Sequence, residues 1–556
     1  MSKTILFTIA VLAMSQSAIA QIPPGAGGQL QQIPPAPVLQ KKAIPEIRIE
    51  QGGAPASTAA DSVRIPVDTL RVTGQALYAE AELVAVAGFR PGGELTLAEL
   101  RGMAAKIADF YRGNGYFVAQ AYLPAQDIKD RTVTITVIEG RYGNVTLRNQ
   151  SKLSNSLADG LLDGLNRGDP VAIVPIENRL LLLSDIPGVN VKSTLAPGEA
   201  VGTSDLIVDV TPGRSVSGSV EADNAGDHYT GEYRVGATVN LNNPFGRGDV
   251  ASLRVMTSGS GLNYARASYQ MQFGKATAGV AYTALNYRLG EQFEPLHAHG
   301  TAQIASIYGS YPLIRSRNTN LYVLGGFDAK TFQDKVDLFS TVTDKKAQVG
   351  WLGLHGNHLD NFGGGGASSY SLTQTFGDLD IETPAARAVD AATAQSNGNY
   401  QKTSFHAARL QTVTKTVSLY GAINGQFASK NLDISEKMVL GGMYGVRAYP
   451  TGEGYADEGY VATLEARLLL PKFAESMPGQ MHLVGFADTG SARINNNPWT
   501  SGDNRRTLSG AGVGLTWADY NNFVVNAYWA QKLGNEAATY APDKNGRFWI
   551  QVVKYF

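Results

Sequence analysis

Tyr264-Ala265-Arg266-Ala267-Ser268-Tyr269-Gln270-Met271-Gln272-Phe273 alternates without a break. Ala265, Ala267, Tyr269, Met271 and Phe273 fall on one face of a strand, and Tyr264, Arg266, Ser268, Gln270 and Gln272 on the other. Residues 214–556 repeat this pattern in short segments separated by Gly, Asn and Asp turns, with no helices to cover either face. One apolar and one polar face suit a membrane β-barrel, greasy outside and wet within. A tilted membrane strand takes about 9–11 residues, and allowing roughly 20 per strand with its turn gives about 16 antiparallel strands. The last segment places Phe548, Ile550, Val552 and Phe556 on one face, interrupted by Lys554, which can snorkel at the membrane edge.

Composition points the same way. Glycine is abundant at 62 residues, tyrosine outnumbers phenylalanine 25 to 19, and charged residues are only 17%, a mixture that favours strands, turns and aromatic belts. A formal net charge of -1 gives no basic excess for a nucleic-acid partner. Cysteine is absent, so neither a disulfide nor a thiolate metal site is available. No run of eighteen apolar residues follows residue 21, and a closed barrel is then the remaining way to span a bilayer. At the amino terminus Lys3, an apolar stretch from Ile5 to Met14 and Ala18-Ile19-Ala20 read as a signal peptide over 1–20, removed before Gln21.

Three further segments lie between leader and barrel. Residues 21–65 are rich in Pro, Gly, Ala and Gln and read as an extended linker, with room for a short plug around Gly28 to Gln32. Residues 66–140 form a small α+β unit. Leu70 and Val72 alternate in a first strand, Thr96 and Glu99 make a capping box, and Leu100, Ala104, Ile107 and Tyr111 follow at helical spacing. Thr132 to Ile138 alternates again. Residues 141–213 repeat the shape, with a strand at Asn144 to Leu147, a helix expected to open at Asp169-Pro170, and two closing strands.

Taken in order, these segments resemble the TpsB transporters of two-partner secretion, the haemolysin-activation and filamentous-haemagglutinin secretion family. The repeat units resemble POTRA domains, the first ending Val137-Ile138-Glu139-Gly140 and the second carrying Leu182 to Val189 and Ser204 to Val208. Asn243 to Asp249 and Tyr311 to Arg317 resemble family turn regions. Ser435 to Gly442, continuing to Val446-Arg447-Ala448-Tyr449, resembles the inward-folded sixth loop and its V-R-G-Y tip. Phe486, Asp488 and Gly490 match the F-x-D-x-G wall motif that this loop contacts. Ala448 stands where the family has glycine, so a left-handed backbone would be disfavoured there.

The resemblance implies an outer-membrane pore with periplasmic POTRA domains that capture an unfolded client by strand addition. The client would be a TpsA-type exoprotein recognised through its amino-terminal secretion domain. Outer-membrane lipids surround the barrel, and barrel assembly machinery and periplasmic chaperones serve its biogenesis. A salt bridge from Arg447 to Asp488 would pin the loop to the wall. Neither cofactor nor nucleotide is implied. His355 and His358 lack an acidic third ligand, Gly363 to Gly366 lacks the Lys-Ser/Thr of a phosphate loop, and no catalytic constellation is present. The competing readings are a barrel-inserting relative of the same superfamily, which usually carries more POTRA units, and a general diffusion porin, which needs none.

Overall fold

The structure, a computed structural model, describes residues 24–37, 47–49 and 63–556; the expected leader lies outside the described residues. The first described segment carries a helix, α1 (Ala26–Gln31), which overlaps the stretch Gly28 to Gln32 where the sequence leaves room for a short plug. Six residues including two glycines would not hold a helix in water; contacts inside the barrel hold it. Farther on, Ile47–Ile49 form a three-residue strand, β1.

The first α+β unit comprises β2 (Arg64–Val67), β3 (Thr69–Thr73), α2 (Glu80–Ala87), β4 (Gly93–Thr96), α3 (Leu97–Gly113), β5 (Gln120–Tyr122) and β6 (Thr132–Ile138). The capping box opens α3: Glu99 N–H donates to Thr96 Oγ1 at 3.2 Å and Thr96 N–H to Glu99 Oε2 at 2.7 Å. Leu100, Ala104, Ile107 and Tyr111 then pack on Val133, Ile135 and Val137 of β6. Glu139 is buried and staples the unit, accepting from Ala76 N–H (2.6 Å), Leu77 N–H (2.7 Å) and Tyr111 O–H (3.0 Å). Arg141 balances its charge at 3.1 Å.

The second unit comprises β7 (Arg141–Asn149), α4 (Asn155–Leu162), α5 (Ile173–Ser184), β8 (Val189–Pro197) and β9 (Thr203–Pro212). Helix α5 starts after the expected Pro170. Pro170 instead bridges to Arg141, and Val171 N–H donates to Gly140 O at 3.0 Å, which keeps that stretch extended. The two units interlock through Ile173 N–H to Gly115 O (3.0 Å) and through Phe117 and Val118, which pack on the second core. Strand β1 adds to this unit's sheet, running parallel to β8 in the order β1-β8-β9-β7.

Beyond β9 sixteen antiparallel strands close into a barrel, the first (Val216–Asp223) pairing with the last (Gly546–Tyr555). Several strands exceed the expected membrane length, up to 20 residues in Thr341–Asp360. One wall therefore stands clear of a bilayer core about 30 Å thick. A helix, Pro384–Ala392, interrupts the expected all-strand pattern in one long loop. Outward residues are the apolar ones: Phe548, Ile550 and Val552 are exposed, whereas Trp549 and Val553 face in and are buried. Lys554 donates to Asn522 in the adjoining turn at the rim.

Short turns line the rim beside the two units. In the turn between Arg234–Asn242 and Val250–Thr257, Asn243, Gly246 and Gly248 take left-handed backbones and Asp249 accepts from Arg247 N–H at 3.1 Å. Ser154 N–H, just before α4, donates to Gly246 O at 2.8 Å. In the turn after Ala298–Arg315, Arg315 grips Asp185 through Nε (2.7 Å) and Nη2 (2.9 Å). Both turns thus dock the second unit on the barrel.

Candidate functional site

Residues 429–457 connect Val417–Ala428 to Glu458–Leu469 and fold back into the lumen. A short ladder, Met438–Val439 against Tyr455–Ala456, forms their stem. The tip turns tightly: Val446 N–H donates to Leu440 O at 2.8 Å, and a Cβ on Gly445 would lie 2.2 Å from that carbonyl. The tip residues Val446, Arg447, Ala448 and Tyr449 are all buried. Ala448 does not adopt a left-handed backbone, so its methyl group brings no strain, and it fits against Gly510, where a second Cβ would lie only 2.4 Å away.

Arg447 enters a socket on the barrel wall. Its Nε donates to Asp488 Oδ2 and its Nη2 to Asp488 Oδ1, each at 2.8 Å, while its backbone N–H also reaches Oδ2 at 3.2 Å. Nη1 donates to Glu465 Oε1 at 2.9 Å. The guanidinium carbon stands 3.5 Å from the centre of the Phe486 ring, a close cation–π contact. Gly490 leaves space for Leu440, which a Cβ there would approach to 3.2 Å. Thr463 O–H (2.9 Å) completes the shell of Asp488, and Trp549 Nε1–H caps Arg447 O at 2.7 Å. The structure therefore brings Arg447, Phe486 and Asp488 together. Glu465 was missed by sequence reasoning, since a glutamate on a lumenal strand face reads as solvated wall. Arg467 shares Glu465 at 2.7 Å, leaving the four side chains charge-balanced.

A second set of ion pairs holds the flanks of the loop. Lys330 (2.6 Å) and Lys402 (2.9 Å) meet Glu436, Lys345 meets Asp433 (2.6 Å), and Arg506 meets Glu453 (2.6 Å). Burial pushes the Glu436 carboxyl up, but Lys402 and Lys330 together bring it below the ordinary carboxylate range.

The lumen also holds α1, in the mouth farther from the two units. Ala26 N–H donates to Asp334 Oδ1 (2.8 Å), Tyr455 O–H to Gly28 O (3.0 Å), and Gln31 to Ser435 O. A Cβ on Gly27 would lie 2.6 Å from that of Ser435, so glycine is what lets the helix lie against the loop. Gln32 Nε2 reaches both Asp227 Oδ2 and Tyr455 Oη at 2.8 Å. The chain then descends past Arg234, which donates to Gln32 O (3.0 Å), and Arg254, which donates to Pro34 O (2.7 Å). Burial pushes the Asp227 carboxyl up, against hydrogen bonds from Tyr540, Gln32 and Tyr229 N–H that pull it down.

The residues set aside as incidental stay apart from this site. His358 bonds Thr319 Oγ1 at 2.8 Å at the unit-side rim, and Gly363 to Gly365 form a left-handed turn there. Among the described residues, no three His, Cys, Asp or Glu side chains cluster as metal ligands would.

Comparison with known proteins gives family models, curated relatives and a solved structure that resemble the chain. The haemolysin secretion/activation protein family ShlB/FhaC/HecB matches residues 202–517, and the ShlB-type POTRA domain matches residues 65–140. The heme/hemopexin transporter protein HuxB of Haemophilus influenzae (strain 86-028NP) is 31% identical over 84% of this chain and 82% of its own. The outer membrane transporter CdiB of Dickeya dadantii (strain 3937) is 24% identical over 64% of this chain and 63% of its own. Among solved structures, CdiB from Escherichia coli superposes with a TM-score of 0.68 at 19% identity, covering 91% of this chain and 93% of that one, a likeness of fold.

Proposed function

The chain belongs to the ShlB/FhaC/HecB family of haemolysin secretion/activation proteins, the TpsB transporters of two-partner secretion, and from that membership we propose that it exports one partner exoprotein through a gate built around Arg447. The barrel lies in the outer membrane, with the POTRA region on its periplasmic side. The client class follows from the family, whose members secrete haemolysin-type proteins: an unfolded secreted polypeptide carrying an amino-terminal secretion domain.

The observation that carries the gate is the buried bidentate contact of Arg447 with Asp488, reinforced by Glu465. In a dry socket such a pair holds one conformation firmly. In a water-filled lumen both partners can be rehydrated once separated, so the contact can break and re-form without leaving a bare charge. Capture is assigned to the second unit. Strand β1 occupies the edge of β8 over only three residues, and an extended client segment can take its place by main-chain hydrogen bonding. Folding of the client outside the cell then keeps the emerging chain from sliding back, with no nucleotide needed.

The test is co-expression with the partner exoprotein, scoring protein in the medium. Arg447→Ala should assemble a heat-modifiable barrel yet release little exoprotein. Normal export by that variant would remove Arg447 from the mechanism.

A further inference from the structure

Two cavities open at the periplasmic rim of the barrel and share a wall. The first, about 500 Å³, is a trough on the lipid-facing surface. Cross-strand pairing puts Met271 beside Ala278, Ala278 beside Gly309, and Gly309 beside Gly325, so one register row carries almost no side chain at three successive strands. The next outward row, Val280, Ile307 and Phe327, forms an exposed apolar lip. The row lies two residues above the end of the Phe273/Ala276 hairpin, roughly 7 Å into the membrane. The second cavity, about 320 Å³, lies below it between α4 and the turn 243–249, lined by Ser154, Ser156, Arg247 and Gln272. Met271 and Phe273 border both.

The two halves ask for different chemistry. The trough is apolar and faces hydrocarbon, so a soluble anion has no use for it. The crevice is mixed: beside Leu157 and Phe273 it presents Ser154, Ser156, Gln272 and one cation, Arg247. Arg247 is exposed, and its guanidinium makes no ion pair among the described residues; neither does half-buried Lys275 in the adjoining hairpin turn nor exposed Lys152 beside α4. The nearby Asp249 is already engaged by the turn's own backbone and by Tyr269 O–H at 3.0 Å. One molecule that is apolar above and anionic below, at the depth of the inner leaflet, meets both demands.

We propose that this paired cavity is a binding site for an anionic glycerophospholipid, with an acyl chain along the Ala278-Gly309-Gly325 trough and the phosphate at Arg247 and Ser156. Because α4 belongs to the second POTRA unit, the lipid ties that unit to the barrel and makes its seating depend on the surrounding leaflet.

Native mass spectrometry of the full mature chain, released from nanodiscs of phosphatidylglycerol or of phosphatidylethanolamine, tests this. Wild type should keep one phosphatidylglycerol per chain and little phosphatidylethanolamine. Arg247→Gln, which removes one basic contact, should lower retention about fivefold. Gly325→Leu, which fills the trough where a Cβ has 3.6 Å of clearance, should lower it at least as much with heat-modifiable mobility intact. Lys472→Gln, at a different periplasmic turn, should change nothing. Equal retention by wild type, Arg247→Gln and Gly325→Leu would mean annular lipid only and overturn the site. Equal retention of the two lipids, or a polypeptide as the bound mass, would overturn it as well.

Discussion

The lumen holds two inserts built on opposite principles. The Arg447 tip is charge-balanced: Arg447 meets two buried carboxylates, an aromatic face and a donor on its own carbonyl, and Arg467 supplies the second cation by sharing Glu465. Helix α1 carries no charged side chain. It is held by single hydrogen bonds, several to backbone carbonyls, and by two carboxylates that make no ion pair among the described residues, half-buried Asp334 and buried Asp227. Breaking a buried ion pair by removing one member typically costs about 3–5 kcal/mol, whereas one neutral hydrogen bond is worth about 0.5–1.5 kcal/mol net. The loop is therefore the more firmly held of the two inserts, and the helix should yield first, before the Arg447 contact opens.

The largest effect should come from emptying the socket. Asp488→Ala leaves Arg447 buried with Glu465 already shared by Arg467. Because the chain has no cysteine, Ala448→Cys gives a clean reporter. Its maleimide labelling should rise on the order of a hundredfold when combined with Asp488→Ala. Unchanged protection would show that the pair does not hold the tip. The opposite insert is probed by Gly27→Leu, which has no room beside Ser435. Overpacking by about 1–3 kcal/mol should raise the open-channel fraction in planar bilayers roughly tenfold or more while the Ala448→Cys reporter stays protected. If both inserts move together in either variant, the contrast between them fails.

This contrast also explains what was legible beforehand. Period-two alternation needs only the identity of each residue, so the barrel stood out, as did the α3 capping box and the alternation of β6. Helix α1 is legible only as room for a short plug, because Ala-Gly-Gly-Gln-Leu-Gln has no apolar stripe; its helical state is imposed by Asp334, Tyr455 and Ser435, each hundreds of residues away. Strand lengths were underestimated because turn residues such as Gly and Asn also occur within the tall wall Ala298–Ile381. The start of α5 was misplaced because Pro170 suits a first helical turn equally well as the extended bridge it makes with Arg141. Arg447 and Asp488 were singled out by motif, while Glu465 had none to mark it.

A weaker effect should follow at the short strand β1. Replacing Ile47–Ile49 by Gly-Ser-Gly removes a three-residue strand from the β8 edge. An extended client peptide should then bind about fivefold tighter, the size expected from losing one competing main-chain hydrogen bond. The gain should appear in isothermal titration of the full chain in detergent. Unaltered affinity would mean that clients use another edge.

The smallest effect concerns pH and turns on Asp227. With α1 in place, burial raises the Asp227 carboxyl above its ordinary range, and this outweighs the hydrogen bond from Gln32 that acts to lower it. When the helix leaves, water reaches the carboxylate and that upward shift is relieved. The plugged state is thus the one that binds the proton more tightly, so protonation stabilises it. Its contribution is full below the ordinary carboxylate value and is lost as pH rises through the raised one. Spontaneous channel openings should therefore become a few-fold rarer as the bath is acidified from neutral toward the carboxylate range. Asp227→Asn keeps one acceptor, for Tyr229 N–H, loses the second oxygen that Gln32 and Tyr540 use, and cannot titrate, so its opening rate should be flat across the same interval. A wild-type rate that rises on acidification would reverse the sign and show that Asp227 holds the helix as a charged acceptor rather than as a buried neutral acid.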